Sequence, residues 1–399
     1  MKVVALGGSG GMGRHTARVA MGYDFVEELV IADLDGEAAT RFAETLGGKA
    51  RGATVDVTDA EALGRLLSEA DVVVNTVGPY FRFGVPVLRA AIEAGCHYLD
   101  ICDDWEPTLE MLELDATARE AGVTAVIGLG ASPGISNILA VKAIAELDRA
   151  TEIYTAWDLE GAVPERVGRE PSAAMVHGFH QLSGTIQVYD EGRYTEIRPL
   201  EPRTLDYPGL GPGHLWTIGH PEAVTLPHTY PDLRRSMNLM FASRFTLFGT
   251  RVLSWLVTHG WFSEQRAAWW AERLENAPVD PDHTAQLHAL AKGGLPPLFA
   301  LAMGEKDGRP ASAAVMITSA PRGGMGGVTG VPLAVGLDLL GRGKLENRGV
   351  FAPEAIVDPD AFFEGLAPHC VPMVPVEQLT VTTRSWEDTT LAEKLSAIL

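Results

Sequence analysis

The chain opens MKVVALGGSGGMGR (residues 1–14), and the reading of this stretch decides the fold. Val3 to Leu6 is a short apolar run of strand length. Gly8, Ser9, Gly10, Gly11, Met12 and Gly13 follow without a gap and fit the pattern GxGxxG. His15 to Met21 reads as the start of a helix. A second apolar run, Leu29 to Ala32, ends on Asp33, twenty residues beyond Gly13. Glycine is needed here because the backbone must turn sharply, approach a pyrophosphate closely and pack helix on strand. The helix N-terminus offers unpaired N–H groups and the positive end of a dipole. An acid at this distance meets ribose hydroxyls. Strand, glycine loop, helix and acid together predict a dinucleotide site, with Leu34 beside Asp33. A carboxylate there repels a 2′-phosphate, and the first base after it is Arg41. NAD is therefore expected in preference to NADP, unless Arg14, Arg41 or Arg51 folds back onto the site.

Working outward, strands and helices alternate to about residue 147. Ala53–Asp56 reads as a third strand and Asp71–Asn75 as a fourth. A helix over 85–94 is closed by Gly95, and His97–Asp100 reads as a fifth strand. A helix over 107–121 is closed by Gly122, Thr124–Leu129 reads as a sixth strand, and a long helix covers 135–147. Six strands with helical crossovers imply a parallel sheet covered on both faces.

The pattern changes near 150. Residues 151–159, 184–189, 194–199 and 313–318 read as strands without regular crossovers, and Asp190-Glu191-Gly192 is a hairpin signal. The expected fold class is α/β: a doubly wound parallel Rossmann sheet with a second α+β domain on a mostly antiparallel sheet. Helical material is expected over 232–275, where Trp255, Trp261, Trp269 and Trp270 read as core or interface. The Pro- and Gly-dense stretch 207–231 reads as a loop, and a helix follows Pro332.

The bulk numbers narrow the classes. A chain of 399 residues exceeds one small core. Its formal charge of −20 opposes binding to nucleic acid or to an anionic membrane surface. Three cysteines, Cys96, Cys102 and Cys370, are too few for a disulfide framework and point to a reducing compartment, hence a cytoplasmic location. The run Ser236–Phe262 is apolar and aromatic, but Arg244 and Arg251 interrupt it, so it lacks the ~18 uncharged residues of a membrane span. A buried helix or dimer contact is the expected use, with an interfacial amphipathic helix as the alternative.

Two stretches, VVNTVGPYFRFGVPVLRAAIEAGCHYLDICDDWE (73–106) and GLGASPGISNILA (128–140), resemble the saccharopine dehydrogenase family. TGVPLAVGLDLLGRGKLENRGVFAPEAIVDPDAFFEGL (329–366) resembles that family's C-terminal segment. It is most similar to the branch holding glutamate-forming saccharopine dehydrogenase, carboxynorspermidine dehydrogenase and lysine 6-dehydrogenase. The resemblance implies a dinucleotide-binding domain over 1–147 and a substrate and dimerisation domain over 148–327. It implies that 328–399 returns to the first domain. It also implies a homodimer with a cleft between domains, and NAD(P)-dependent hydride transfer at a C–N bond of an amino-acid-like amine or imine.

Ligands in such sheets bind at the carboxyl ends of the strands. Thr76, Val77, Gly78, Pro79 and Tyr80 follow strand four and are candidate cofactor contacts, against a plain strand-to-helix turn. Asp56 and Val57 follow strand three and would hold the adenine edge, against helix capping. Tyr98 and Asp100 share a face of strand five because side chains alternate. With Asp103 they are the candidate proton relay, since amine oxidation needs an acid–base group beside the hydride path. Three carboxylates in five residues, Asp100, Asp103 and Asp104, are expected to repel and to raise at least one pKa. Helix capping by Asp103 or Asp104 is the plainer alternative. His97, Cys96 and Cys102 match no zinc spacing, so no metal is expected. Ser132, Pro133 and Gly134 open a helix and could face substrate, against simple capping by Ser136. His177, His180, Arg244 and Arg322 are candidate substrate contacts from the second domain. Two other functions stay open: an NAD enzyme without net redox, of homospermidine synthase-like type, and a cofactor-binding protein without turnover.

Overall fold

The computed structural model describes residues 1–161, 171–274 and 294–397. Contacts divide the chain into two compact units, Met1–Ile135 with Gly326–Leu366 and Ser136–Met325 with Ala367–Leu399.

In the first unit, β1 (Lys2–Leu6), β2 (Glu28–Asp33), β3 (Ala50–Thr54), β4 (Val72–Asn75), β5 (His97–Asp100) and β6 (Thr124–Val126) form one sheet. Every pair is parallel, and the order runs β6-β5-β4-β1-β2-β3. β1, β2 and β4 are near-continuous runs of Val, Ile, Leu and Ala because both their faces are covered, whereas the edge strand β3, Ala50–Thr54, has no buried residue. A seventh strand, Gly349–Phe351, pairs with β6 at the edge. The C-terminal segment thus returns to this unit through Leu366. It goes no further: Thr380–Arg384 pairs in the other sheet. That corrects the expectation that 328–399 returns as one block, and the divisions fall after Ile135 and Met325 rather than at 147 and 327.

The helix Gly324–Gly341 is long and apolar enough to cross a membrane, but 72% of it is buried inside the protein. Within the first unit, Thr16 Oγ1 donates to Gly330 O at 2.7 Å. A Cβ on Gly330 would lie 2.4 Å from Met12 O. Glycine there lets this helix pack hard against the start of the helix Gly13–Ala20.

In the second unit the central strands are β7 (Arg149–Asp158), β8 (Ile186–Asp190), β9 (Arg193–Ile197), β10 (Pro202–Tyr207), β11 (Gly211–Thr217), β12 (Arg235–Phe241), β13 (Leu298–Lys306) and β14 (Arg309–Ile317). All pairings in this sheet are antiparallel except β12 with β7. Glu191 and Gly192 both take positive φ, 53° and 78°, which is the geometry a two-residue hairpin turn requires. Tyr207 and Phe299 meet edge to face at 5.1 Å inside the core between sheet and flanking segments.

Several local expectations shift. The helix expected from Val85 begins at Tyr80, directly after Pro79. The helix expected over 107–121 is two, Trp105–Leu112 and Asp115–Glu120, broken at Glu113-Leu114. The stretch 207–231 holds strand β11 and the helix Glu222–Thr229 as well as loop. The helical reading of 232–275 begins too early, since Arg235–Phe241 is a buried strand running parallel to β7. Its apolar residues are continuous because both faces are covered, so they carry no period of two.

Candidate active site

β1 and β4 lie side by side where the strand order reverses, and the loops that leave them touch. Thr76 Oγ1 donates to Leu6 O at 2.9 Å and lies 3.1 Å from Gly7 O. The glycine loop is tight on its inner side and open on its outer side. A Cβ on Gly13 would stand 2.4 Å from Gly7 O and 2.8 Å from Gly8 Cα. A Cβ on Gly10 would meet only Gly7 O, at 3.1 Å, and one on Gly11 would meet nothing within 4 Å. Gly13 therefore serves the close packing of helix on strand, while Gly10 and Gly11 keep backbone accessible to an incoming pyrophosphate.

Asp33 ends β2 beside this loop, and Ser9 Oγ donates to its Oδ2 at 2.6 Å. Leu34, next to it, is 70% exposed. Arg41 pairs with Glu37 and Arg51 with Glu28. Arg14, one of the three arginines able to reverse the NAD preference, does fold back onto the loop, but its guanidinium is held on backbone carbonyls, donating to Ser9 O at 3.0 Å and Gly10 O at 3.2 Å. Asp56 is exposed and accepts from the Thr58 amide and hydroxyl, which hold its carboxyl below the usual range. Asp59, not Asp56, caps the following helix.

Tyr98 and Asp100 do come together, but inside the core. Both have no solvent exposure. Tyr98 Oη donates to Asp100 Oδ2 at 2.7 Å and accepts from Asn75 Nδ2 at 3.0 Å. Asp100 Oδ1 accepts from the amides of Cys102 (3.0 Å) and Gly128 (2.7 Å). Asn75 Oδ1 accepts from Val77 N, and its carbonyl accepts from Tyr80 Oη. This chain of bonds ties together the loops after β4, β5 and β6. Burial pushes the Asp100 carboxyl up to about 6 and the Tyr98 and Tyr80 hydroxyls well above their ordinary value. The expected rise in a carboxylate pKa is present, but its main cause is desolvation, with the Asp103 charge a minor contributor.

Asp103 is half-buried, less enclosed than Tyr98 and Asp100. Asp104 has a definite structural task that the sequence did not reveal. Its Oδ2 accepts from Phe81 N at 3.0 Å, so it caps the helix Tyr80–Glu93 from another loop rather than the helix that follows it. His97 Nδ1 accepts from Thr124 N at 3.0 Å at the opposite end of β5.

Ser132, Pro133 and Gly134 form a turn closed on itself: Gly130 N donates to Pro133 O and Ile135 N to Gly130 O. A Cβ on Gly134 would stand 2.0 Å from Gly130 O, so this glycine serves the turn. Ser132 is half-exposed. Ser136 is not the N-cap of that helix, which already begins at Ile135, and its hydroxyl donates to Glu222 Oε1 at 2.6 Å. In the second unit His177 is buried, its ring centroid 6.4 Å from that of His180. His180 Nδ1 lies 3.0 Å from Glu264 Oε1. Arg244 and Arg322 are exposed. A buried polar group that sequence reasoning missed surrounds Glu222: Ser136 binds it, and His220, 3.7 Å away, also meets Gln181 Oε1 at 3.0 Å. His220 and Glu222, two residues apart in a stretch taken for loop, were the only trace.

Residues 3–126 match the saccharopine dehydrogenase NADP binding domain, and residues 130–371 the saccharopine dehydrogenase C-terminal domain. The chain belongs to the saccharopine dehydrogenase family. It is an NAD(P)-dependent oxidoreductase that acts on CH–NH groups: the glycine loop and acid anticipate the dinucleotide, and the resemblance of residues 73–106, 128–140 and 329–366 anticipates the C–N chemistry. It is 24% identical over 409 residues to carboxyaminopropylagmatine dehydrogenase of Synechocystis, across 93% of this chain and 97% of that one. It is 22% identical over 399 residues to carboxynorspermidine synthase of Vibrio alginolyticus, across 90% and 92%. The fold is shared with homospermidine synthase of Legionella pneumophila, solved with NAD, at a TM-score of 0.60 and 15% identity over 97% of this chain and 91% of that one.

Proposed function

We propose that this family member prefers NAD(H) and interconverts a secondary amine and its imine on an amino-acid-like substrate bearing a carboxylate. The observation that carries the cofactor preference is the Ser9–Asp33 hydrogen bond. It holds a carboxylate at the edge of the glycine loop, where it accepts from ribose hydroxyls and repels a 2′-phosphate. Gly10 and Gly11 leave backbone for the pyrophosphate, Leu34 offers an apolar face to the adenine, and Asp56 and Val57 border it. Thr76, Val77, Gly78 and Pro79 line the crevice beyond. A nicotinamide held there would supply or accept the hydride at the carbon of the C–N bond. Asp103 moves the proton at the substrate nitrogen. Tyr98 and Asp100 are positioning residues, holding the loop that carries Asp103. Ser132 contacts the substrate. The substrate class rests on the two relatives matched over nearly their whole length, both named for carboxylated polyamines. The homodimer and the cytoplasmic location belong to the same proposal.

Fluorescence titration with NADH and NADPH tests the preference, and NADH consumption across mixtures of amines and carbonyl compounds tests the reaction. Asp33→Ala is expected to narrow the NADH preference by on the order of 1–3 kcal/mol, the range for a lost charged hydrogen bond. Tighter binding of NADPH than NADH by the parent protein overturns the cofactor assignment.

A further inference from the structure

The helix Arg244–Thr258 turns two unlike faces outward and inward. Leu247 and Ser254 are buried, and Leu253 and Val257 pack against a cluster of Phe179, Ala267 and Ala268. On the other side Phe245 is 79% exposed, Phe248 70%, Val252 43% and Trp255 53%. At ~100° of rotation per residue these four fall within about 80° of the circumference. Arg244 and Arg251 project from the adjoining edge of the same face. Trp261, 72% exposed, and Trp270, 43%, extend the aromatic surface through the turn into the helix Glu264–Leu274. Large apolar side chains aligned at the solvent side of one helix are a surface awaiting an occupant, not scattered exceptions.

The charges say what kind of occupant. All four arginines between 244 and 273, Arg244, Arg251, Arg266 and Arg273, are exposed. Neither glutamate of the stretch is fully exposed: Glu264 is half-buried against His180 at 3.0 Å, and Glu272 is buried and accepts from Ser172 N at 2.8 Å. A cationic aromatic face therefore stands on a chain of net charge −20. We propose that this face docks on a lipid surface bearing anionic headgroups. Phe245, Phe248, Trp255 and Trp261 enter the boundary between headgroups and acyl chains, and the arginines pair with phosphates, the arrangement of helices that lie in a membrane interface. The net negative charge does not prevent this, because charges beyond the ~8–10 Å screening length at physiological salt are hidden from the surface. A second copy fits less well. A two-fold dimer would bury the patches of both copies together, with the arginines of each and no exposed glutamate of the stretch to pair them. Crossing the bilayer is not implied, since the helix has 15 residues and a span needs about 20.

The test is flotation of the full-length protein with vesicles of phosphatidylglycerol and phosphatidylcholine, against vesicles of phosphatidylcholine alone, with tryptophan emission followed in parallel. Expected are flotation with the anionic vesicles, a blue shift of emission and weakening as salt rises. The combined variant Phe245→Ser, Phe248→Ser, Trp255→Ser should partition about tenfold or more weakly, and Arg251→Glu should shift binding in the same direction. Retained NADH binding shows that each variant is folded. Failure of the parent to float with anionic vesicles overturns the proposal, as does flotation that the triple variant leaves unchanged. A parent dimer in sedimentation velocity that the triple variant dissolves assigns the face to a second copy and overturns it too.

Discussion

Two loops leave the same end of one parallel sheet and invite opposite readings. The loop after β1 is defined by what it lacks: at Gly10 and Gly11 the backbone faces open space. The loop after β5 is defined by polar side chains, yet Asp100 and Tyr98 spend their hydrogen bonds on each other, on Asn75 and on two backbone amides. Carboxylates at the carboxyl end of a strand look catalytic in sequence. Here most of them are architecture, joining three loops so that the crevice keeps its shape. An absence of side chains at fixed spacing is the harder pattern to produce for structural reasons alone.

The largest expected effect separates two glycines within the first loop. Gly10→Val should abolish cofactor binding while leaving the fold intact, because its Cβ meets only Gly7 O, at 3.1 Å, and the added methyls occupy the pyrophosphate's space. Gly13→Val should instead lower stability, because its Cβ would stand 2.4 Å from Gly7 O and the backbone would have to move. Thermal unfolding alongside NADH titration distinguishes them. A Gly10→Val protein that binds NADH like the parent removes the loop from the cofactor site.

The second effect divides the loop after β5. Asp103→Asn should lower turnover by roughly 10²–10⁴-fold with NADH affinity little changed, the range for loss of a general acid–base group. Steady-state kinetics with an identified substrate measure it. Near-parental turnover of Asp103→Asn would move the relay to a residue outside this loop. Tyr98→Phe should act mainly on stability, since it strips a partner from both Asn75 and Asp100.

How much of this was legible follows from what each residue does locally. The glycine loop, Asp33 and six strands could be read because backbone turns and apolar runs obey short-range rules. The hairpin at Glu191-Gly192 was legible for the same reason. The seventh strand lies far from β6 in sequence, so nothing nearby predicts their pairing. Asp104 was read as a cap, but its helix is the one before it, reached only by folding. Of the tryptophans whose pattern reads as core or interface, those at 255, 261 and 270 are substantially exposed, which removes core and leaves interface. Periodicity marks an apolar face without saying which side is covered. Net charge misleads in the same way, since it averages over a surface on which four arginines are grouped.

The smallest effect tests whether the loop after β5 is architecture at all. Asp100 is buried, and its carboxyl is pushed up to about 6 from an unfolded value of 3.8. Its folded state holds a proton more tightly than the unfolded chain does. The stability that comes from this is fully present below pH 3.8 and is lost as pH rises through about 6. Across that window the ionised carboxylate becomes a burden, offset in part by the Cys102 and Gly128 amides and the Tyr98 hydroxyl. Asp100→Asn cannot ionise, so its stability should lack this fall. The difference in unfolding free energy between parent and variant should move toward the variant by on the order of 1–3 kcal/mol between pH 4 and pH 6. Urea unfolding at a series of pH values reads it directly. Parallel curves for the two proteins would mean that Asp100 titrates like an exposed acid, and that the loop opens to water where the structure shows it closed.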